Sequence, residues 1–271
     1  MSGNHVTPAS QVSVPDATGC IDTHCHLEML DDAEVALAAA RAAGVAAVIA
    51  IGIDLESSRR AVSYAESHDD VFATVGMHPH DSRKLDEGLL TKMEKLASSE
   101  RVRAIGECGL DYYRDRAPRD VQQRALIMQF GLARQLDLPI VVHVRDAEED
   151  AMTLLREFAA GLTVILHCFS LTADIAECNE RGYYASFAGN LTYKSAGDLR
   201  AAAALVREDR LLIETDAPFL TPMPYRGKDN RPAWIGYTAA ILAECRGWDI
   251  PRVTAVTAVN ARRAFGLVEP G

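Results

Sequence analysis

Five short segments carry the side chains that bind divalent metals: Asp22-Thr23-His24-Cys25-His26, Gly106-Glu107, His143, His167 and Glu214-Thr215-Asp216. Each stands at the C-terminal end of an apolar, β-branched run. In a strand, residues i and i+2 share a face, so His24 and His26 point together and Cys25 turns away. Two imidazoles so placed can reach one ion at ~2.1 Å. Glu214 and Asp216 pair in the same way, and His143 pairs with Arg145. By the same rule Cys108 and Cys168 face away from Glu107 and His167, as small packing residues rather than thiolate ligands.

A single histidine at a strand end is more often a hydrogen-bonded structural residue than a ligand. Five ligand-bearing strand ends in one chain are a stronger signal. Imidazole with carboxylate suits Zn, Mn, Fe or Co, and carboxylate with water suits Mg. A carboxylate such as Glu107 can bridge two ions ~3.5–4 Å apart. Water on such an ion becomes hydroxide near neutral pH, and a free carboxylate can take its proton. The expected chemistry is hydrolysis.

These groups meet only if the chain places their strand ends side by side. Strands are predicted at 20–23, 45–51, 71–75, 102–105, 139–143, 163–167, 183–187 and 211–214. Helices are predicted at 33–43, 55–67, 89–97, 119–135, 148–158, 171–180, 196–206, 233–245 and 251–265. Near-continuous apolar strands alternating with helices indicate an α/β fold with an all-parallel sheet. Eight such units at this length predict a (β/α)8 TIM barrel of the metallo-dependent hydrolase type. Catalytic side chains then sit at the C-terminal strand ends, where all five segments lie. An open doubly wound sheet is the alternative, but no G-x-G-x-x-G follows the first strand.

The chain has 271 residues, 48% of them hydrophobic, which suits one domain over residues 20–268. Residues 1–19 are polar, lack Lys and Arg and contain no apolar core, so they are expected to form a disordered extension rather than a signal peptide. No apolar run approaches the ~20 residues that span a bilayer. The six cysteines show no C-x-x-C spacing, which suits reduced thiols and a cytoplasmic location. A net charge of -10 disfavours broad non-specific binding to nucleic acid, though not a phosphate held locally by metal and arginine. Nothing in the sequence demands more than a monomer.

Other residues suit the mouth of such a barrel. Arg145 shares a strand face with His143 and is a candidate phosphate ligand. The Pro- and Gly-marked loop Tyr225-Arg226-Gly227-Lys228-Asp229-Asn230 offers Arg226 and Lys228, for substrate or as solvated surface. His78 and His80 flank Pro79, to bind phosphate or to cap the loop. Asp111-Tyr112-Tyr113 could stack on or hydrogen-bond a terminal nucleotide, or supply a core tyrosine.

Over roughly residues 20–265 the chain resembles the TatD family of metal-dependent deoxyribonucleases, within the amidohydrolase-like barrels. The resemblance lies in Asp22-Thr23-His24-Cys25-His26-Leu27, Val75-Gly76-Met77-His78-Pro79-His80 and Ile105-Gly106-Glu107-Cys108-Gly109-Leu110-Asp111-Tyr112. It continues in 139–147, His167-Cys168-Phe169-Ser170, 214–220 and 225–232. One departure is Leu171-Thr172 where the family often has Gly-Thr, at a position that is not a ligand. The resemblance implies two divalent ions (Mg, Mn or Zn): His24, His26 and Asp216 on one, His143 and His167 on the other, and Glu107 bridging. It implies that Asp216 orients or deprotonates the attacking water. The activity implied is 3′→5′ exonucleolytic cleavage of single-stranded DNA, with RNA ends as further substrates.

Two other readings use the same residues. An amidohydrolase acting on a small amide, cyclic amide or lactone would need the same metal cage with an apolar pocket; Arg145, Arg226 and Lys228 favour phosphate. A non-catalytic metal-binding protein is the third, opposed by the complete ligand set.

Overall fold

The computed structural model describes residues 15–267. Eight parallel strands run in sequential order: β1 Ile21–Cys25, β2 Ala47–Ala50, β3 Val71–Val75, β4 Val102–Asp111, β5 Ile140–Arg145, β6 Val164–Leu166, β7 Tyr184–Phe187 and β8 Leu211–Ile213. Helices alternate with them: α1 Ala33–Ala42, α2 Leu55–Ser67, α3 Glu87–Ala97, α4 Arg119–Leu136, α5 Glu148–Phe158, α6 Ile175–Arg181, α7 Gly197–Leu205, α8 Ile235–Arg246 and α9 Ile250–Phe265. This is the (β/α)8 barrel that the apolar periodicity predicts. Side-chain caps start several helices: the Asp32, Asp54, Asp86 and Asp249 carboxylates each accept an N–H three residues on.

Two apolar layers hold the barrel. The larger lies between strands and helices and includes Val48, Ala50, Ile105, Phe130 and Val142. The smaller lines the interior with Ile21, Ile49, Ala104, Val141, Ile165 and Leu212. Ala261, Ala264 and Phe265 of α9 join this inner layer beside the first residues of the strands. The N-terminal end of the barrel is therefore an apolar floor, and polar groups collect at the opposite end.

Closure between β1 and β8 uses few backbone bonds. The Asp216 N–H donates to His24 O (2.9 Å) and the His26 N–H to Ala217 O (2.8 Å). Asp22, fully buried, joins the same seam: the Thr215 N–H donates to Oδ1 (2.8 Å) and the Thr215 hydroxyl to Oδ2. Burial pushes the Asp22 carboxyl up to about 7, against the lowering effect of these donors. Asp22→Ala leaves three buried donors, the Thr215 N–H and hydroxyl and the His24 N–H, without this acceptor, and is expected to cost about 2–4 kcal/mol of stability. Urea unfolding checks this; a midpoint equal to that of the parent chain would remove the seam from the account.

The extension expected over residues 1–19 lies outside the described residues up to residue 14. Residues 15–19 pack on the barrel: Ala17 is buried and the Gly19 N–H donates to Gly44 O (2.8 Å). No helix among the described residues is long and apolar enough to cross a membrane.

Candidate metal centre

The six expected ligand side chains converge at the C-terminal mouth, around Glu107. Its carboxylate is split between two sets of imidazoles. Oε2 lies 3.3 Å from His24 Nε2 and 3.7 Å from His26 Nε2. Oε1 lies 3.0 Å from His143 Nδ1, 3.2 Å from His167 Nε2 and 3.6 Å from His78 Nε2. Asp216 Oδ1 completes the first set, 3.3 Å from His26 Nε2 and 3.8 Å from His24 Nε2.

Two strands change phase to make this possible. Ile21 faces the barrel interior, yet His24, three residues on, also faces the mouth. Strict alternation would send His24 outward. The β1–β2 register slips between Asp22 and Cys25 and restores it. The same happens on β4, where Ala104 is interior and Glu107 follows three residues later, with a register shift between Ile105 and Cys108. On β5 and β6 the spacing from Val141 to His143 and from Ile165 to His167 is even, and their pairing carries no shift.

Glycines clear the space around Glu107. A Cβ on Gly76 would collide with the backbone of Gly106. Gly109, at φ +142°, sits so close to the His143 carbonyl that any side chain would overlap it. These contacts give the Gly-Glu-Cys-Gly run a packing reason.

The electrostatics suit a cation. Burial alone would raise the Glu107 carboxyl, but His167, His78 and His24 reverse this and hold it well below the usual carboxylate range. Burial drives His78 down to about 3 and also lowers His24. Both ring nitrogens of the fully buried His24 lack a hydrogen-bond partner. A buried orphan imidazole beside an ionised carboxylate fits a divalent metal better than any protein donor on hand. Glu214 Oε1 contacts His167 Nδ1 (2.9 Å) and accepts the Cys168 N–H (2.8 Å). That turns His167 Nε2 towards Glu107, as a carboxylate behind a metal-binding imidazole does. Among the described residues three overlapping groups could hold an ion: His24, His26 and Glu107; His24, His167 and Glu214; His78, Glu107 and His143.

The other expected site residues are spread more widely. Arg145 lines the mouth cavity of about 1070 Å³, its guanidinium 4.0 Å from the centroid of the Tyr113 ring. His78 sits deeper than a rim contact, inside the histidine cluster, its ring 4.9 Å from that of His143. Arg226 stands outside the cavity lining, over the Tyr193 ring at 4.4 Å. Lys228 is also outside, 5.4 Å from the Tyr225 ring. Cys108 packs in the outer apolar layer as expected. Cys168 does not turn away: its φ of +42° lies outside strand geometry, and it lines the cavity.

Asp111, expected with its tyrosines near a terminal nucleotide, lies against the histidine cluster. Its Oδ2 lies 2.8 Å from His80 Nε2 and 3.6 Å from His143 Nε2. The signal was present, since Glu107, Gly109 and Asp111 alternate on one face of β4. Phe219 was missed; it is half-exposed beside the site, its ring 5.7 Å from that of His26.

Residues 21–266 match the family model described as TatD related DNase. The chain is 40% identical over 251 residues to the uncharacterized metal-dependent hydrolase YabD of Bacillus subtilis, covering 91% of this chain and 98% of that protein. It is 36% identical over 241 residues to the 3'-5' ssDNA/RNA exonuclease TatD of Cronobacter sakazakii, covering 86% of this chain and 92% of that one. Among solved structures it superposes on YJJV, a TatD homologue from Escherichia coli K12, with a TM-score of 0.87 at 28% identity, over 92% of this chain and 99% of that one.

Proposed function

The chain belongs to the TatD family of metal-dependent hydrolases, and from that premise we propose that it is a 3′→5′ exonuclease of single-stranded DNA, with RNA as a further substrate. The observation that carries the reading is the divided Glu107 carboxylate, one oxygen towards each histidine pair. In this reading His24, His26 and Asp216 would hold one divalent ion and His143 and His167 a second, with Glu107 offering one oxygen to each set. Mg, Mn or Zn there would acidify water and offset the charge that builds on the phosphoryl oxygens. The relative named as a 3'-5' ssDNA/RNA exonuclease supports the choice of bond and polarity.

The protein groups then have defined tasks. Asp216 accepts the proton of the attacking water on its carboxylate. The water oxygen bonds to phosphorus as the P–O3′ bond breaks, and the leaving oxygen takes a proton from solvent. Glu214 fixes the His167 ring. Arg145 and His78 hold the scissile phosphate, and Arg226 and Lys228 meet the strand further from the centre. Arg114, Arg116 and Arg145 in the cavity lining favour a phosphodiester over a small neutral amide.

The test uses single-stranded DNA labelled at its 3′ end. Chelated protein is expected to be inactive, and restoring Mg, Mn or Zn should release labelled mononucleotide before any shorter internal product. Endonucleolytic products, or inactivity with every metal, would overturn the reading.

A further inference from the structure

We propose that Tyr113 and Phe219 form two base-stacking seats on opposite sides of the barrel mouth, so that the protein selects unpaired strands by holding two consecutive bases apart. This rests on the exonuclease reading above and names how the substrate is gripped.

Phe219 follows β8 and lines the mouth cavity; Tyr113 follows the end of β4, outside the lining but against Arg114 and Arg145, which belong to it. In a ring of eight sequential strands these positions are half a turn apart. Both side chains are large and half-exposed, at 57% and 50%. Neither exposure results from a loose loop. Tyr112, next to Tyr113, is pinned: its hydroxyl donates to Asp150 Oδ2 (2.7 Å) and Arg119 covers its ring (4.3 Å). The Arg114 N–H donates to Asp111 Oδ1 (2.7 Å), which ties the turn to the residue touching His80 and His143. Phe219 is held from both sides, its N–H donating to Asp216 O and its carbonyl accepting from Asn230 Nδ2, each at 2.8 Å.

The chemistry of each seat fits a nucleobase. Arg145 already lies over the Tyr113 ring at 4.0 Å, with Arg114 at 5.5 Å. A base on the face of Tyr113 that Arg145 leaves open sets the phosphate on its 3′ side, the scissile one, beside the Arg145 and Arg114 guanidinium groups. Every base has a π-face, so such a platform tolerates any sequence. In duplex DNA those faces are covered by neighbouring pairs; placing consecutive bases on opposite walls requires their mutual stack to be broken.

Direction follows from in-line displacement. The attacking water lies on the Asp216 side, so the leaving 3′-oxygen points away from it. The nucleoside that carries this oxygen, the penultimate one, extends towards Tyr113. The 3′-terminal base then falls to Phe219, next to Asp216 in the loop.

The test pairs substitutions with abasic positions in a single-stranded oligonucleotide. For the metal-loaded wild type, an abasic penultimate or 3′-terminal position should each raise KM for the first cleavage by roughly ten-fold. Tyr113→Ala should lose the penultimate penalty and keep the terminal one; Phe219→Ala should do the reverse; Tyr113→Phe should behave as wild type. Equal penalties in all variants, or none in the wild type, would overturn the two seats. Bis(4-nitrophenyl) phosphate, a diester without bases, reads the metal centre alone. Its hydrolysis without any abasic effect sinks the seats and spares the exonuclease reading; no hydrolysis of it or of any oligonucleotide sinks both.

Discussion

Glu107→Gln is expected to lower hydrolysis of single-stranded DNA by roughly 10³-fold or more and to reduce bound metal to one ion or none. The amide keeps the shape of the side chain and removes its charge. Among the described residues Glu107 alone has two oxygens that face both histidine sets, so both sets lose their common partner at once. Its ionised state is maintained by His167, His78 and His24 against the cost of burial, and a neutral amide cannot answer those imidazoles. One amide can offer a single oxygen to one ion, and its NH2 group then faces imidazole nitrogens. Glu107→Asp separates charge from reach: it keeps the carboxylate but withdraws it by one methylene, and is expected to recover only part of the rate. Metal content by mass spectrometry and initial rates on one preparation decide the matter. A folded Glu107→Gln protein with wild-type rate and metal would end the proposal that Glu107 bridges.

Asp216→Asn is the second large effect, with a different signature. Its Oδ1 touches both His24 and His26, yet the first ion would retain three other donors. What the asparagine cannot do is take a proton. Loss of a general base costs roughly 10²–10⁴-fold in kcat. KM for DNA should change little, since the lining arginines Arg114, Arg116 and Arg145 are untouched. The second set, His143 and His167 around Glu107 Oε1, should bind metal as before. A rate within two-fold of wild type would remove Asp216 from the proton-transfer role. A matched loss of metal and rate, restored by excess metal, would make it a ligand alone.

Both substituted residues are visible in the amino-acid sequence, but the reasons for their effects are not equally so. Val71–Val75, Leu55–Ser67 and Glu148–Phe158 match their predicted bounds, because apolar periodicity and caps are local properties. β4 does not: it runs on to Asp111, six residues past the expected end, because β5 pairs with it as far as Arg145. The loop cations show the same limit. Position along the chain puts Arg226 and Lys228 near the mouth; only the fold sets them over the Tyr193 and Tyr225 rings, outside the lining to which Tyr193 belongs.

By itself the sequence determined which metal-binding types of side chain stand at the strand ends and the order in which eight strands present them. Each ligand type, its neighbours and its place after an apolar run are written within a few residues. Tertiary structure decided the rest: the phase slips on β1 and β4 that turn His24 and Glu107 inward, the Asp22–Thr215 seam, and the depth of His78 beside Glu107. These depend on which strands become neighbours when the sheet closes. Alternation along one strand repeats every two residues and carries no record of its phase relative to a partner. Only closure sets that phase, and with it the side of the barrel on which each imidazole emerges.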